Sequence, residues 1–573
     1  MKRIGVFVCH CGTNIAGTVD VERVVEEIRK FPDVVYAVDY KYMCSDPGQQ
    51  LIRDHIREDR LDSVIVAACS PTMHETTFRR TADSEGVNPY QTEIANIREQ
   101  SSWVHQKQAE AATNKAIETI RTIVAKAHYN QSLTPFYLPL VKRALVIGGG
   151  VAGMQATLDV ADAGYPVVLV EKSERLGGHM ADLSGLYLNF DAVPGLLQQK
   201  IDAVMSHPNI QVLANAQVTE VGGYVGNFVV KIEQRASKAP KIPYTFDIGA
   251  IVVATGYDLY NKAHLGEYGG ARHPDVIDGL QFEEMLRSNG PTGGQIRRPS
   301  DGKVPEEVVW VQCAGSRDPE LHLPYCSKVC CMYVAKQTML YKQQVPGGQA
   351  TVFYIDIRTQ GKGYEEFAQQ AMEEYDVLYV RGKASKVFQQ NGHVVVWGVD
   401  TLTGLPIEVE ADLVVLATAA VPRADAQELG QLLRIATDEH GFFSEAHPKL
   451  RPVESLTAGV FLAGAAQFPK DIPETVAQAS GAASKVLRLF SQRKMVQEPT
   501  IAYVDPEICS GCGLCIPACP YEARTMHDWQ PIAVVNTALC QGCGACAMVC
   551  PNKACQVRNL TQRQVLSMME AYL

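Results

Sequence analysis

Residues 144–178 read ALVIGGGVAGMQATLDVADAGYPVVLVEKSERLGG, and the architecture follows from them. Ala144–Ile147 is a short apolar run that fits a buried parallel strand. Gly148, Gly150 and Gly153 form GxGxxG, residues 154–163 continue with helical periodicity, and a second strand, Val167–Val170, delivers Glu171. The glycines allow a tight turn and close backbone approach, and the helix N-terminus offers N–H groups to a pyrophosphate. Glu171 is placed to accept from a ribose hydroxyl. Gly177 and Gly178, after the acid, favour FAD over NAD. Much later, Ala254, Thr255 and Gly256 follow the apolar pair Val252-Val253 and read as the turn that closes such a flavin site. A lone GxGxxG is weak evidence. Strand, glycines, helix and acid at the expected separations outweigh the alternative, a Gly-rich turn in an unliganded α/β domain.

At 573 residues the chain is expected to hold three or four domains, and 46% hydrophobic residues suffice for their cores. The formal charge of −10 makes nucleic acid an unexpected partner. The opening MKRIGVFVCHCG reads as a first strand rather than a signal peptide, and no stretch approaches bilayer-spanning length, so a cytoplasmic location is expected. Seventeen cysteines without an export signal argue for metal ligation over disulfides. They fall into sets: Cys9, Cys11, Cys44 and Cys69; Cys313, Cys326, Cys330 and Cys331; eight in two runs near the C-terminus; and Cys555 alone.

Residues 1–130 alternate strand and helix patterns and end in an amphipathic helix at about 103–128, which suggests a small Rossmann-like parallel sheet. Cys9, Cys11 and Cys69 fall just past the carboxyl ends of two strands, and Cys44 follows a third. Ligands of open α/β sheets gather on that edge. Four thiolates there could hold a [4Fe–4S] cluster, although the spacing is no standard motif; the alternative is buried structural cysteines. His10 and His74, nearby, read as hydrogen-bonded loop histidines.

After a linker at Tyr129–Val141, the flavin domain spans 142–490. Residues 210–256 give a β-meander whose hairpin loop, Gln234–Tyr244, is short and basic, and residues 290–305 read as an exposed loop. Val308–Gln312 is a strand placed where a nicotinamide-binding βαβ unit would start. The turn that follows is Cys313-Ala-Gly-Ser-Arg, with Cys326 and Cys330-Cys331 leading into a helix at Met332–Lys342. Without closely spaced glycines a pyrophosphate cannot approach the backbone, whereas four cysteines can bind an iron–sulfur cubane. Tetrahedral zinc is the alternative for the same thiolates. Lys336, on that helix, and Glu283 are candidates for charged groups beside a flavin, against the plainer reading of Lys336 as a solvated helix lysine. Asp356 ends the next strand as the vestige of a nicotinamide ribose acid. Residues 412–422 echo the strand and turn at 252–256. Gly459–Gly464, then Ile472 and Pro473, give a strand, a turn and a proline-initiated helix whose positive end faces the flavin pyrimidine. The usual Gly-Asp pair is Gly464-Ala465 here, leaving backbone amides for the ribityl contact.

In the domain at 500–573, Cys509, Cys512, Cys515 and Cys519-Pro recur at a constant offset as Cys540, Cys543, Cys546 and Cys550-Pro. This is the bacterial two-cluster ferredoxin run, in which the fourth cysteine of each run crosses to the other cluster. Cys550 thus joins 509, 512 and 515, and Cys519 joins 540, 543 and 546.

Taken together, these features make a chain that resembles the A subunits of heterodisulfide reductases. The resemblance covers nearly the whole length and rests on VCHCGTNIAG at 8–17, AACSPTMHE at 67–75, LGGHM at 176–180, the Cys313–Cys331 pattern and the terminal repeat. It implies a thioredoxin-reductase-like FAD core and a dimeric flavoprotein, to which the four cysteine sets add an expected four [4Fe–4S] clusters. It also implies partners: B and C subunits with a hydrogenase, formate-dehydrogenase or NADH-dehydrogenase-type electron donor. The flavin of such complexes is associated with electron bifurcation or its reverse. Many members carry a ferredoxin module in the 234–244 hairpin and a C-x2-C after LGGHM; here the hairpin is bare and residues 181–200 hold no cysteine. The leading reading is an FAD and iron–sulfur electron-transfer subunit. The alternatives are a stand-alone NAD(P)H:acceptor flavin oxidoreductase and a non-catalytic electron-transfer scaffold.

Overall fold

The computed structural model describes residues 2–235, 242–270, 272–390 and 393–573; the tip of the 234–244 hairpin lies outside them. At the N-terminus, Ile4–Cys9 (β1), Val34–Tyr40 (β2), Ser63–Ala68 (β3) and Thr92–Asn96 (β4) pair in parallel in the order β2-β1-β3-β4. β1 and β3 are buried throughout, as strands covered on both faces must be, hence their unbroken apolar reading. β4, with a polar residue at either end, escapes that reading. The closing helix, Ala109–His128 (α1), begins later than position 103, because Arg98–Ser102 first winds into a wide π-type turn. His74 lies on the helix Pro71–Asp83 rather than in a loop.

The flavin core is a doubled plan. Ala144–Ile147 (β5), the helix Val151–Asp162 (α2), Val167–Val170 (β6) and Ile210–Leu213 (β7) begin the first half. A meander follows, Ala216–Tyr224 (β8), Asn227–Gln234 (β9) and Ile242–Ile248 (β10), before Ala250–Val253 (β11) returns to the sheet. The second half repeats this with Val276–Asp278 (β12), Glu307–Ala314 (β13), the helix Cys330–Gln344 (α3), Gln349–Tyr354 (β14) and Leu378–Arg381 (β15). Its meander is Ala384–Gln390 (β16), His393–Asp400 (β17) and Leu405–Ala411 (β18), and Leu413–Thr418 (β19) returns. Val460–Leu462 (β20) and the helix Ile472–Phe490 (α4) then complete the first half. The two parallel sheets run β20-β11-β5-β6-β7 and β12-β19-β13-β14-β15. This is the thioredoxin-reductase-like arrangement, with apolar clusters on both faces of each sheet.

Near the C-terminus two short antiparallel ribbons form, Ala502–Val504 (β21) with Cys555–Val557 (β24), and Arg524–Met526 (β22) with Ala533–Val535 (β23). A last helix, Gln562–Tyr572 (α5), is opened by a capping box between Thr561 and Gln564. The chain divides into two compact units, Met1–Leu138 with Val496–Leu573, and Pro139–Met495. Within the first, Gln564 Nε2 donates to Asn130 Oδ1 (2.7 Å) and Asn559 Nδ2 to the Gln131 carbonyl (3.0 Å), fastening the tail to the end of α1. No helix among the described residues is long and apolar enough to cross a membrane.

Candidate functional site

Between β5 and α2 the chain turns on glycines that admit nothing larger. Gly148 has φ +110°, and a Cβ there would lie 2.3 Å from the Ala254 carbonyl oxygen; one on Gly153 would lie 1.8 Å from that of Gly148. Gly150 is different. Its φ is −75°, it caps α2 without a side chain, and the nearest atom to a Cβ would be Gly178 Cα at 4.0 Å. The backbone there is left open to a ligand. Glu171 braces the loop, accepting from the Gly149 N–H (2.6 Å) and the Ser173 N–H (2.7 Å). A carboxylate has further lone pairs for a ribose hydroxyl.

This turn opens on a cleft of about 1160 Å³, whose walls include Gly148, Gly150, Glu171, Gly177, Gly178, Ala254, Thr255, Gly256, Ile472 and Pro473. Gly153 and Gly464 shape it from behind. The Gly464 N–H donates to Gln478 (2.8 Å), so Ala465 forms the wall instead. Two cleft-lining hydroxyls, Thr255 and Tyr187, are buried without a partner in the protein. Open glycine backbone, a volume of about 1160 Å³ and unpaired hydroxyls fit FAD.

Lys336 and Glu283 line the same cleft, each 2% exposed. They are partners. Lys336 Nζ lies 2.7 Å from Glu283 Oε1 and donates to the Gly185 carbonyl at 2.8 Å. Glu283 also accepts from the Ser184 hydroxyl (2.7 Å) and Gln337 Nε2 (2.9 Å). The solvated-lysine reading fails because this helix is buried around Lys336 on every side. Ser184 and Gly185 carry no motif, so nothing in the sequence singles them out. Elsewhere on the wall His179, of LGGHM, donates to the Tyr257 carbonyl (2.9 Å), and Asp182 holds its imidazole above the usual histidine range. At the mouth of α4, burial pulls Lys470 down to about 8. Lys328 pairs with Glu474 in the first turn of that helix.

The second βαβ unit holds no phosphate cradle. Cys313, the last residue but one of β13, has φ +57°, and Gly315, the one glycine of the turn, is packed so that a Cβ would lie 2.7 Å from the Tyr260 ring. Cys313, Cys330 and Cys331 are buried and Cys326 is half-buried. Burial, reinforced by the neighbouring thiols, pushes Cys330 well above the usual thiol range and Cys331 up to about 11. Metal ligation here would have to expel protons that burial favours. Val329 and Tyr333, either side of Cys330 in sequence, both line the flavin cleft. Asp356 is no vestige: it takes the Arg317 guanidinium in a fork (2.7 and 2.9 Å) beside these thiols.

The N-terminal set gathers as the strand ends suggest. Cys9 Sγ accepts from the Cys11 N–H (3.3 Å) and the Met43 N–H (3.4 Å), and burial raises the Cys69 thiol to about 11. Cys44 packs with the buried cluster containing Cys9 and Cys69. Arg98, which opens the π-type turn, approaches Cys11 Sγ at 3.5 Å. His10 binds Asp39 (2.7 Å). In the terminal runs Cys515, Cys540, Cys546 and Cys550 are buried, whereas Cys512 and Cys543 are exposed. Backbone N–H groups of Ala502, Ala523 and Cys555 point at Cys540, Cys519 and Cys550. Among the described residues no three His, Cys, Asp or Glu side chains close on one point as ligands of a single ion do. A cubane, with irons and sulfides between its thiolates, spaces them more widely.

Two family descriptions match the chain: "FAD binding domain" over residues 143–207 and "4Fe-4S dicluster domain" over 508–554. One of the iron–sulfur A subunits of the CoB–CoM heterodisulfide reductase of Methanopyrus kandleri is 41% identical over 594 residues, covering 91% of this chain and 90% of its own. The A subunit of the H2:CoB–CoM heterodisulfide,ferredoxin reductase of Methanothermobacter marburgensis is 40% identical, covering 92% and 91%. Among solved structures, T. acidophilum thioredoxin reductase is 16% identical with a TM-score of 0.41, covering 61% of this chain and 99% of that one. Similarity at the level of the first two, along nine-tenths of the chain, leaves one conclusion: the protein belongs to the family of heterodisulfide reductase A subunits.

Proposed function

We propose that the chain is an electron relay in which the flavin cleft exchanges electrons with a [4Fe–4S] cluster on Cys313, Cys326, Cys330 and Cys331. Two further cubanes occupy the terminal runs and a fourth the N-terminal set. FAD, when bound, supplies the switch between two-electron and one-electron transfer. The protein supplies position and charge. Gly148, Gly150 and the first turn of α2 receive the pyrophosphate, and Glu171 the ribose. The Lys336–Glu283 ion pair, neutral as a unit, lies in the cleft wall and fixes Ser184 and Gly185 beside the flavin cleft. The observation that carries this reading is the shared wall: Val329 and Tyr333 flank Cys330 and line the cleft.

The Methanothermobacter relative is named as part of an H2-dependent heterodisulfide and ferredoxin reductase and a Methanococcus maripaludis relative as part of an H2/formate-dependent one, which supports a hydrogenase or formate-dehydrogenase type of donor; B and C subunits and a cytoplasmic location complete this reading. We place this chain there as a homodimer within a larger complex. A simple relay is favoured over ferredoxin-coupled bifurcation, because residues 181–200 hold no cysteine to take a low-potential electron. Anaerobic purification from the native cell tests the reading. One FAD and about sixteen irons per chain are expected, at four per cubane. About eight irons, or rapid bleaching of the flavin by NADH in the isolated chain, would overturn it.

A further inference from the structure

The terminal repeat extends beyond its cysteines. At the offset that maps Cys519 onto Cys550, Arg524 maps onto Cys555. Each is the first residue of a short strand, β22 or β24, following its run, and each turns inward. Arg524 is 3% exposed and its Nη2 donates to Cys546 Sγ at 2.8 Å. Its Nη1 is buried with no partner in the protein. Cys555 is equally buried, and its backbone N–H donates to Cys550.

A buried guanidinium is costly unless an anion faces it. The other two thiol sets also have an arginine beside them, but each of those is neutralised: Arg98 by Glu99 (2.6 Å) and Arg317 by the Asp356 fork. Among the described residues no carboxylate pairs with Arg524. Its partners are thiols: Cys546, which it hydrogen-bonds, and, by charge without a hydrogen bond, Cys555 and the Cys515 of the neighbouring set. The equivalent position in the other half of the repeat carries a cysteine and no guanidinium.

We infer that Arg524 raises the reduction potential of the cluster on Cys519, Cys540, Cys543 and Cys546 above that of its neighbour on Cys509, Cys512, Cys515 and Cys550. The step is the addition of one electron, with no bond broken and no proton moved. The added negative charge meets a fixed cation in a site sheltered from water, so the reduced form gains more than the oxidised form. The pair becomes directional, and Arg524 acts as a positioning residue through its contact with Cys546.

This rests on both terminal clusters being loaded, and the test separates the two ideas. The full chain is isolated anaerobically as wild type, Arg524→Met, Arg524→Gln and Arg524→Lys, its irons are counted, and it is titrated with dithionite by EPR. Cys512→Ser and Cys543→Ser assign one signal to each cluster. The expected result is a lower midpoint for the Cys543 signal in the Met and Gln variants, a smaller change for the Cys512 signal, and partial recovery in Arg524→Lys. Full iron with neither midpoint moved, or with both moved alike, overturns the role of Arg524. If the Met variant loses iron, the Gln variant, which keeps a hydrogen-bonding amide without charge, is decisive by the same criteria. Fewer than about eight irons per chain in the wild type, too few to fill both terminal clusters, overturns the cluster reading itself.

Discussion

Gly150 and Gly153 sit three residues apart in one motif, yet their replacement should have opposite consequences. A methyl group on Gly153 would collide with the Gly148 carbonyl at 1.8 Å, so Gly153→Ala is expected to disrupt the β5–α2 turn and lower the melting temperature. A methyl group on Gly150 meets almost nothing in the protein. Gly150→Ala should keep the circular dichroism of the wild type and lose most of its flavin absorbance, because the methyl stands where the pyrophosphate approaches. The buried pair behaves as a unit in the same way. Glu283→Ala strands Lys336 without a counter-charge and should cost about 3–5 kcal/mol, read as a fall in the urea midpoint. Lys336→Met with Glu283→Leu should recover part of that loss. If the double variant is as unstable as the single, the charge pair is not what the site depends on.

At the scale of the element, the first turn of α4 touches both the flavin cleft, through Ile472 and Pro473, and the turn that carries Cys326 and Cys330. Its N-cap Asp471 accepts from the Glu474 N–H (2.8 Å), and Tyr364 reaches the other oxygen of that carboxylate. Its first turn holds Lys328, which lies between Cys326 and Cys330 in sequence. Lys470 stands just before this cap with a folded value of about 8 against an ordinary 10.5. The sign follows from linkage. Below about 8 both folded and unfolded chains bind the proton, and burial penalises the folded one in full. Between about 8 and 10.5 only the unfolded chain still binds it, so stability rises with pH across that window. Melting temperatures should show this rise in the wild type and lack it in Lys470→Met. An identical profile in both would remove Lys470 from the account.

At the scale of the molecule, 1–138 and 496–573 form one compact unit although the whole flavin core is inserted between them in sequence. The fastening is α5 against α1, with Gln564 on Asn130, Ser567 on the Ala125 carbonyl (3.2 Å) and the Lys115 ammonium over the Tyr572 ring at 5.1 Å. Removing residues 561–573 should expose the α1 face, so the truncated chain is expected to bind more of a hydrophobic dye and to release 1–138 to protease at lower concentration. Residues 1–138 expressed with 496–573 should resist protease better than 1–138 alone.

The flavin loop, the doubled sheet plan and the terminal cysteine runs were all legible in the linear chain. Each depends on local chemistry: glycines where the backbone must turn left-handed or be approached, unbroken apolar runs where parallel strands are covered on both faces, and ligand spacings set by the cluster. The strand ends where the N-terminal thiols gather were legible too, since a parallel sheet brings its carboxyl ends to one edge. Which charges pair was settled by folding alone. Lys336 meets Glu283, Asp356 meets Arg317, and Arg524 meets Cys546 across 53, 39 and 22 positions of chain. No periodicity reports such distances. A charge becomes consequential when burial removes the water that would screen it, and burial belongs to the folded molecule, not to any stretch of it.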